Sequence, residues 1–299
     1  MSGADAVAVV IATFRRPDAV RRAVASVLAQ TAPVGEIVVV DDASPTPAPS
    51  FDDARVRVLR RTENGGQGAA YRDGLAAVRR PLVAFLDDDD LWRPDKIARQ
   101  LTALAGAADP ERTIVSCAVE TLRDGRRHSL PRRPPRSDEP LADYLFVAGG
   151  VLQQSTLLGP TALARRAAFD PGVRRHQDLG FILRAERLGA GVVLVEAPLV
   201  LWGTTARDRL STVRDPTASL AWLATEPALT PQQRAGFLAR HAAIGAPPLV
   251  GLGRIAVAAA CGALDLREAA ALASRRVLPE RLGRPLRRVG RGLLGAPVR

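Results

Sequence analysis

Short runs of consecutive apolar residues alternate with stretches whose apolar residues recur every three or four positions through the first two thirds of this 299-residue chain. Residues 6–12 form an unbroken apolar run suited to a buried parallel strand. Pro17 then stands at a first helical position ahead of Val20, Ala23, Val24, Val27 and Leu28, which share one helical face. Residues 36–40 predict a second buried strand ending at Asp41 and Asp42, and residues 55–59, with Val56 and Val58 alternating, a third. A helix follows over 67–78 after Gly65 and Gly66, then a strand over 82–86 closed by four aspartates, a helix over 95–105 and a strand over 114–118. Residues 123–137, rich in Arg and Pro and without periodicity, read as a loop. Beyond it the pattern predicts a strand over 152–158, helices over 161–168 and 178–188, and a strand over 192–195, with the sheet ending near Trp202.

Strand and helix alternating in this way predict an α/β fold with a doubly wound, mainly parallel sheet flanked by helices. From about residue 216, alanine- and leucine-rich segments broken by Pro227, Pro231, Pro247 and Pro248 predict an α-helical appendage. The expected division is an α/β domain over 1–212 and a helical C-terminal region over 213–299. In open α/β sheets ligands bind beyond the carboxyl ends of the strands, and both acidic clusters, Asp41/Asp42 and Asp87 to Asp90, fall at such ends.

Composition narrows the classes without choosing among them. With 47% apolar and 24% charged residues the chain can bury a proper core. Its two cysteines, Cys117 and Cys261, have neither disulfide-framework nor zinc-site spacing, which points to a cytoplasmic protein. No basic-then-apolar leader opens the chain, and no apolar run approaches membrane-spanning length. Lipid contact is therefore expected to be peripheral, at the inner face of the membrane.

The formal charge of +11 is unevenly placed. Residues 275–299 carry eight arginines against the single Glu280, interleaved with Leu282, Leu286, Val289, Leu293 and Leu294. Such a tail suits an anionic membrane surface, and equally a solvated end. Nucleic acid is not expected as a partner, because no recognition motif accompanies the charge and the tail is poor in stacking aromatics.

The four consecutive aspartates, Asp87 to Asp90, are the sharpest chemical signal. Adjacent carboxylates cannot be buried without a counter-charge, so they must lie where the strand ends and a cation sits. Hard oxygen ligands suit Mg²⁺ or Mn²⁺, whose remaining ligands commonly come from substrate phosphates. Taken alone, such a run reads more readily as a solvated acidic turn.

The order of the pieces removes that ambiguity. Ala12-Thr13-Phe14-Arg15-Arg16-Pro17 follows the first strand and Val39-Val40-Asp41-Asp42-Ala43-Ser44 the second. Asn64-Gly65-Gly66 with Arg72-Asp73-Gly74, Phe85-Leu86 with the four aspartates, and a later Gln177-Asp178 with Arg184 complete the series. In order and spacing over residues 6 to about 212 the chain resembles the family 2 glycosyltransferases, inverting enzymes of the GT-A fold.

The resemblance implies transfer of a sugar from a nucleotide-diphosphate donor, UDP or dTDP favoured, to an acceptor hydroxyl on a glycan or lipid-linked molecule in polysaccharide, glycolipid or cell-envelope synthesis. It makes Asp41 the carboxylate facing the base imide, with Thr13 lining the same pocket, and places Arg72, Asp87 and Asp88 toward the donor, while Arg15 or Arg16, outside the family pattern, could reach its phosphate. Asp89 and Asp87 become the Mn²⁺ or Mg²⁺ ligands, with the register among Asp87 to Asp90 open. Asp178 becomes the general base that inversion requires on the face opposite the leaving diphosphate. Two positions depart from the family pattern: Gln177 stands where many relatives carry a second acid, and Arg15 where an asparagine is frequent.

Other classes fit less well. A receiver-type domain would put its acidic pair after the first strand rather than the second. A nucleotidyltransferase would want a glycine-rich loop where residues 12–17 contain no glycine. A catalytically silent nucleotide-sugar-binding module of the same fold predicts eroded acidic sites, yet Asp41, Asp87, Asp89 and Asp178 are all present.

Overall fold

The computed structural model describes residues 5–123, 126–203, 216–243 and 245–277. They divide into two compact units, one formed by residues 1–145 and 150–209, the other by residues 146–149 and 210–299.

The first unit is built on a nine-stranded sheet. Strand β1 (Val7–Thr13) leads to helix α1 (Pro17–Leu28), β2 (Glu36–Asp41), β3 (Val56–Arg60), α2 (Gln67–Ala77) and β4 (Leu82–Asp87). A tight turn gives the short β5 (Leu91–Trp92), and α3 (Lys96–Ala105), β6 (Thr113–Arg123), β7 (Arg126–Leu130) and α4 (Leu141–Phe146) follow. A 3₁₀ turn over Gln154–Thr156 precedes β8 (Leu158–Pro160), α5 (Thr161–Ala167), α6 (Gln177–Arg187) and β9 (Gly191–Leu201). Strand order is β3-β2-β1-β4-β8-β6-β9-β5, with β7 paired to β6. The first four strands are parallel throughout, as are β6 and β9, whereas β8 runs antiparallel to both β4 and β6.

β1 and β2 are buried at every position, which is why they read as unbroken apolar runs rather than alternating ones. Packing α2 onto them requires Gly74: a Cβ there would meet Val10 Cγ1 at 2.4 Å and Val40 Cγ2 at 2.9 Å. In register, Thr13 lies beside Asp41 and Ala12 beside Asp87, so the polar ends of three adjacent strands share one edge.

Two elements differ from the sequence reading. Residues 126–130, expected in a loop, form the edge strand β7, because pairing to β6 satisfies their backbone while their arginines stay in solvent. Residues 152–158 are expected as one strand, but only Leu158–Pro160 pairs. The preceding residues turn sharply because the Gln153 side chain accepts the Ser155 N–H at 2.9 Å, an alternative to the sheet ladder.

In the second unit, α7 (Thr217–Ala224), α8 (Pro231–Phe237), α9 (Pro248–Ala260) and α10 (Leu266–Val277) follow one another, with a π-helical stretch, Leu238–Ala242, after α8. Thr230 and Gln233 form a reciprocal capping box at the start of α8. Phe146, Trp222 and Phe237 pack edge to face and tilted, with centroids 4.6–6.0 Å apart. Ile255, Ala258, Leu264 and Leu272 join α9 to α10. Arg240 ties the unit together through Glu268 at 2.8 Å and the carbonyls of Phe146, Val147 and Ala263. The basic tail from residue 278 lies outside the described residues.

Candidate active site

The acidic run at the end of β4 splits by geometry. Asp87 is the last strand residue, the Asp90 N–H closes a turn onto the Asp87 carbonyl at 3.1 Å, and the chain enters β5. The turn sends Asp88 one way, where it accepts from Thr13 Oγ1 at 2.8 Å and pairs with Arg16 at 2.9 Å. Asp87, Asp89 and Asp90 converge instead, each offering an oxygen within 4.8 Å of the others. Arg16 also approaches Asp89, at 3.4 Å.

Neutral donors hold the cluster in place. Asp87 accepts from Tyr71 Oη at 2.6 Å, Gln67 Nε2 at 2.5 Å and Gln153 Nε2 at 3.0 Å. Asp90, fully buried, accepts from Ser155 Oγ at 2.6 Å, Gln153 Nε2 at 2.8 Å and the Gly203 N–H at 2.7 Å. The Ser155 hydroxyl also accepts the Asp87 N–H at 2.9 Å. Beneath this layer Trp92 Nε1 donates to the Ser155 carbonyl at 2.9 Å. The buried Lys96 ammonium sits 3.8 Å from the Trp92 ring centroid and 2.6 Å from Gln100 Oε1. The Gln100 amide in turn holds the Thr156 carbonyl at 2.7 Å, so the 3₁₀ turn is fastened from below as well as above.

Aromatic packing brings the next functional group to the cluster. Tyr71 and Phe85 meet edge on at 5.6 Å, Phe85 contacts both Phe169 and Phe181, and Phe169 stacks on Phe181 at 4.7 Å. Phe181 lies on α6, so the cluster that seats Tyr71 against Asp87 also docks α6, with Asp178 in its first turn. Such ring pairs contribute about 0.5–1.5 kcal/mol each beyond area burial. Asp178 accepts the Leu179 N–H at 2.9 Å, and its charge is close enough to Asp87 to raise that carboxyl further.

Burial dominates the electrostatics. It pushes the Asp178 carboxyl up to about 6 and Asp88 up to about 6, against the pull of Arg16 on the latter. Burial, with the Asp89 charge second, raises Asp90 to about 7; burial, then Asp90 and Asp89, carries Asp87 well above the carboxylate range. Among the described residues, the three converging carboxylates accept hydrogen bonds from neutral donors, and Arg16 approaches Asp89 at 3.4 Å. The donor set of hard oxygens fits a divalent cation of the magnesium or manganese type.

The remaining expected residues fall elsewhere. Asp41 is fully buried, and its two oxygens accept the N–H groups of Ser44 at 2.9 Å and Ala48 at 3.0 Å, so it shapes the turn after β2. Asp42 organises the next loop, accepting from Arg61, from Asn64 Nδ2 at 2.9 Å and from the N–H groups of Gly65 and Gly66. Gly66, at φ +84°, adopts a backbone that a side chain would strain. Arg72 is exposed on α2 and bonds to Asp73 at 2.9 Å. It is the outer member of a chain Asp42–Arg61–Asp73–Arg72 and not part of the acidic cluster. Arg15 is exposed with its guanidinium 4.8 Å from the Phe14 ring centroid, while its N–H bonds to Ser44 Oγ.

Gln67, Tyr71 and Gln153 were not singled out by sequence. For the first two a signal existed: they stand four apart in α2, on one face, with polar tips directed to the strand end. Gln153 carries no such mark.

The profile described as Glycosyl transferase family 2 matches residues 8–169. The chain is 34% identical over 154 residues to the amylovoran biosynthesis glycosyltransferase AmsB of Erwinia amylovora, covering 50% of each chain. It is 37% identical over 121 residues to the succinoglycan biosynthesis protein ExoO of Rhizobium meliloti, covering 39% of this chain and 34% of that one. It thus spans half or less of the length of these curated relatives. Among solved structures, S. aureus TarS 1–349 in complex with UDP-GlcNAc aligns with a TM-score of 0.58 at 17% identity, covering 89% and 83%. The mannosyltransferase PcManGT from Pyrobaculum calidifontis, in complex with GDP-Man and Mn²⁺, aligns with a TM-score of 0.55 at 21% identity, covering 96% and 80%. At these identities the structural likeness speaks for the fold.

Proposed function

The chain belongs to glycosyltransferase family 2, and on that premise we propose that it is an inverting, metal-dependent glycosyltransferase that moves a sugar from a nucleotide-diphosphate donor to an acceptor hydroxyl. The observation that carries this reading is the convergence of Asp87, Asp89 and Asp90 beside the first turn of α6, which bears Asp178. Asp89, with Asp87 or Asp90, would hold Mn²⁺ or Mg²⁺. That ion supplies Lewis-acid stabilisation of the charge growing on the departing diphosphate.

The chain's own residues do the rest. Thr13 and Asp41, register partners at the ends of β1 and β2, border the proposed nucleoside side, Asp41 acting through the turn it holds. UDP or dTDP is the proposed donor class. Arg16, already engaged with Asp88 and Asp89, is a further proposed cation for the diphosphate beside Arg15 and Arg72. Asp178 removes the acceptor hydroxyl proton as that oxygen attacks the anomeric carbon; the bond to the diphosphate breaks on the opposite face and configuration inverts. A carboxyl raised to about 6 is a stronger base than an ordinary one and is still ionised near neutrality.

Two relatives carry exopolysaccharide names, which supports an acceptor in polysaccharide or cell-envelope synthesis, presented as a glycan or on a lipid. Peripheral contact of the basic tail with an anionic cytoplasmic leaflet is part of the same proposal. Among the described residues no helix is long and apolar enough to cross a membrane.

A panel of nucleotide sugars, assayed for manganese-dependent binding and slow hydrolysis, tests the reading. One donor bound with metal and hydrolysed supports it. Binding without hydrolysis or transfer to any acceptor would favour the silent module, and no metal-dependent binding at all would overturn the site.

A further inference from the structure

Helix α9 has a bare apolar face. Leu249, Val250 and Val257 are 84%, 47% and 60% exposed, and Gly253, Ala256 and Ala260 are exposed beside them. At about 100° per residue these six fall within an arc of roughly 120°, one continuous stripe along the helix. Opposite them, Gly251, Ile255 and Ala258 are buried against the rest of the unit. The single charged residue of α9, Arg254, lies off the stripe and donates to the Ala242 carbonyl at 2.7 Å. Apolar on both faces, this helix has one face packed and one exposed among the described residues, whereas a helix apolar all round is normally covered. Leu266, which opens α10, is exposed as well, at 83%.

We propose that this stripe seats in the headgroup region of an anionic lipid surface, with α9 lying in the membrane plane. Length excludes spanning: 13 residues make a helix of about 20 Å, short of a hydrocarbon core of roughly 30 Å. Charge selects the occupant. The chain that continues from α10 carries eight arginines against one glutamate over residues 275–299, so the same unit that bares the stripe also bears the strongest basic segment of the sequence. Anionic lipid complements both features, apolar surface inserting and arginine meeting headgroups. A second copy docking through the stripe would bring two such basic segments together against like-charge repulsion. The tail's own leucines are interrupted by Gly283, Pro285, Gly290 and Gly292, which weaken any helix that would carry them onto the stripe. This extends the membrane contact proposed above from the tail to a folded helix. Vesicle binding is read without donor or acceptor, so its failure and the failure of sugar transfer are separate results.

Co-sedimentation of the full chain with vesicles of phosphatidylcholine, alone or mixed with phosphatidylglycerol, tests the proposal. The wild type is expected to sediment with the mixed vesicles. Leu249→Ser/Val257→Ser, changes at exposed positions that leave thermal unfolding unchanged, should lower the bound-to-free ratio about tenfold, as should Arg284→Gln/Arg287→Gln/Arg288→Gln. As a second readout, Leu249→Trp should show an added blue-shifted emission component with mixed vesicles over the wild-type spectrum. A serine variant that binds like the wild type while the arginine variant does not would leave the tail as the sole contact and overturn the role of α9. So would an unshifted Leu249→Trp spectrum, no sedimentation of the wild type, or a wild-type dimer on size exclusion that the serine variant turns into a monomer.

Discussion

Gln177 and Gln67 are joined side chain to side chain. Gln177 Nε2 donates to Gln67 Oε1 at 2.6 Å, and Gln67 Nε2 passes on a hydrogen bond to Asp87 at 2.5 Å. The residue preceding the proposed base is thereby tied to the proposed metal ligand through two amides. A glutamate at 177 would add a negative charge next to an already crowded carboxylate cluster, so the neutral residue suits the burial of this site.

This relay predicts non-additive effects. Gln67→Leu should weaken Mn²⁺ binding about tenfold, the usual size of losing a hydrogen bond to a ligating carboxylate. Gln177→Leu, which touches no carboxylate of the cluster, should weaken it by less, and the double variant should be no worse than Gln67→Leu. Calorimetric titration of Mn²⁺ checks this; additive losses would mean that the two glutamines act separately.

Asp89→Ala should remove the metal-dependent part of nucleotide binding. Titration of UDP with and without Mn²⁺ gives the comparison, and equal affinities in wild type and variant under both conditions would rule out metal bridging at this turn.

Asp178→Asn should keep nucleotide-sugar affinity while transfer falls about 10²- to 10⁴-fold. In the wild type kcat/KM should rise tenfold per pH unit below about 6 and level off above it, because only ionised Asp178 accepts a proton. The stability sign runs the other way. A carboxyl raised in the folded state favours folding most while protonated, and ionisation between its unfolded value and about 6 makes folding progressively less favourable. The asparagine variant should therefore melt no lower than the wild type at pH 7.5. Near-normal turnover, or product of retained configuration, would remove Asp178 from the base role.

Asp42→Ala should act on folding. It strands Arg61, Asn64 and the two glycine N–H groups around a buried position, a loss of about 3 kcal/mol by comparison with other broken buried pairs. Chemical denaturation should show that loss, and unaltered stability would show that water replaces the carboxylate without penalty.

Much of this was legible in the chain. Buried parallel strands leave unbroken apolar runs, and polar residues that end such runs must lie on the sheet edge. The positions of Thr13, Asp41 and Asp87 were therefore readable from hydropathy alone. Local pattern also located Asp178 at the start of a helix.

What it did not determine is which carboxylates face one another. Four consecutive aspartates are equivalent in sequence; only the turn closed by Asp90 onto Asp87 separates Asp88, drawn to Thr13 and Arg16, from the other three. Gln67, Gln153 and Ser155 reach the cluster from segments up to 88 residues apart. Asp41 and Arg72, ligands by motif, also hold a turn and a surface ion pair that the motif does not show. A motif fixes where along the backbone a functional group is carried. Its direction and partners depend on packing between distant segments, here the aromatic cluster and the underpinned 3₁₀ turn, and so were decided only by the tertiary structure.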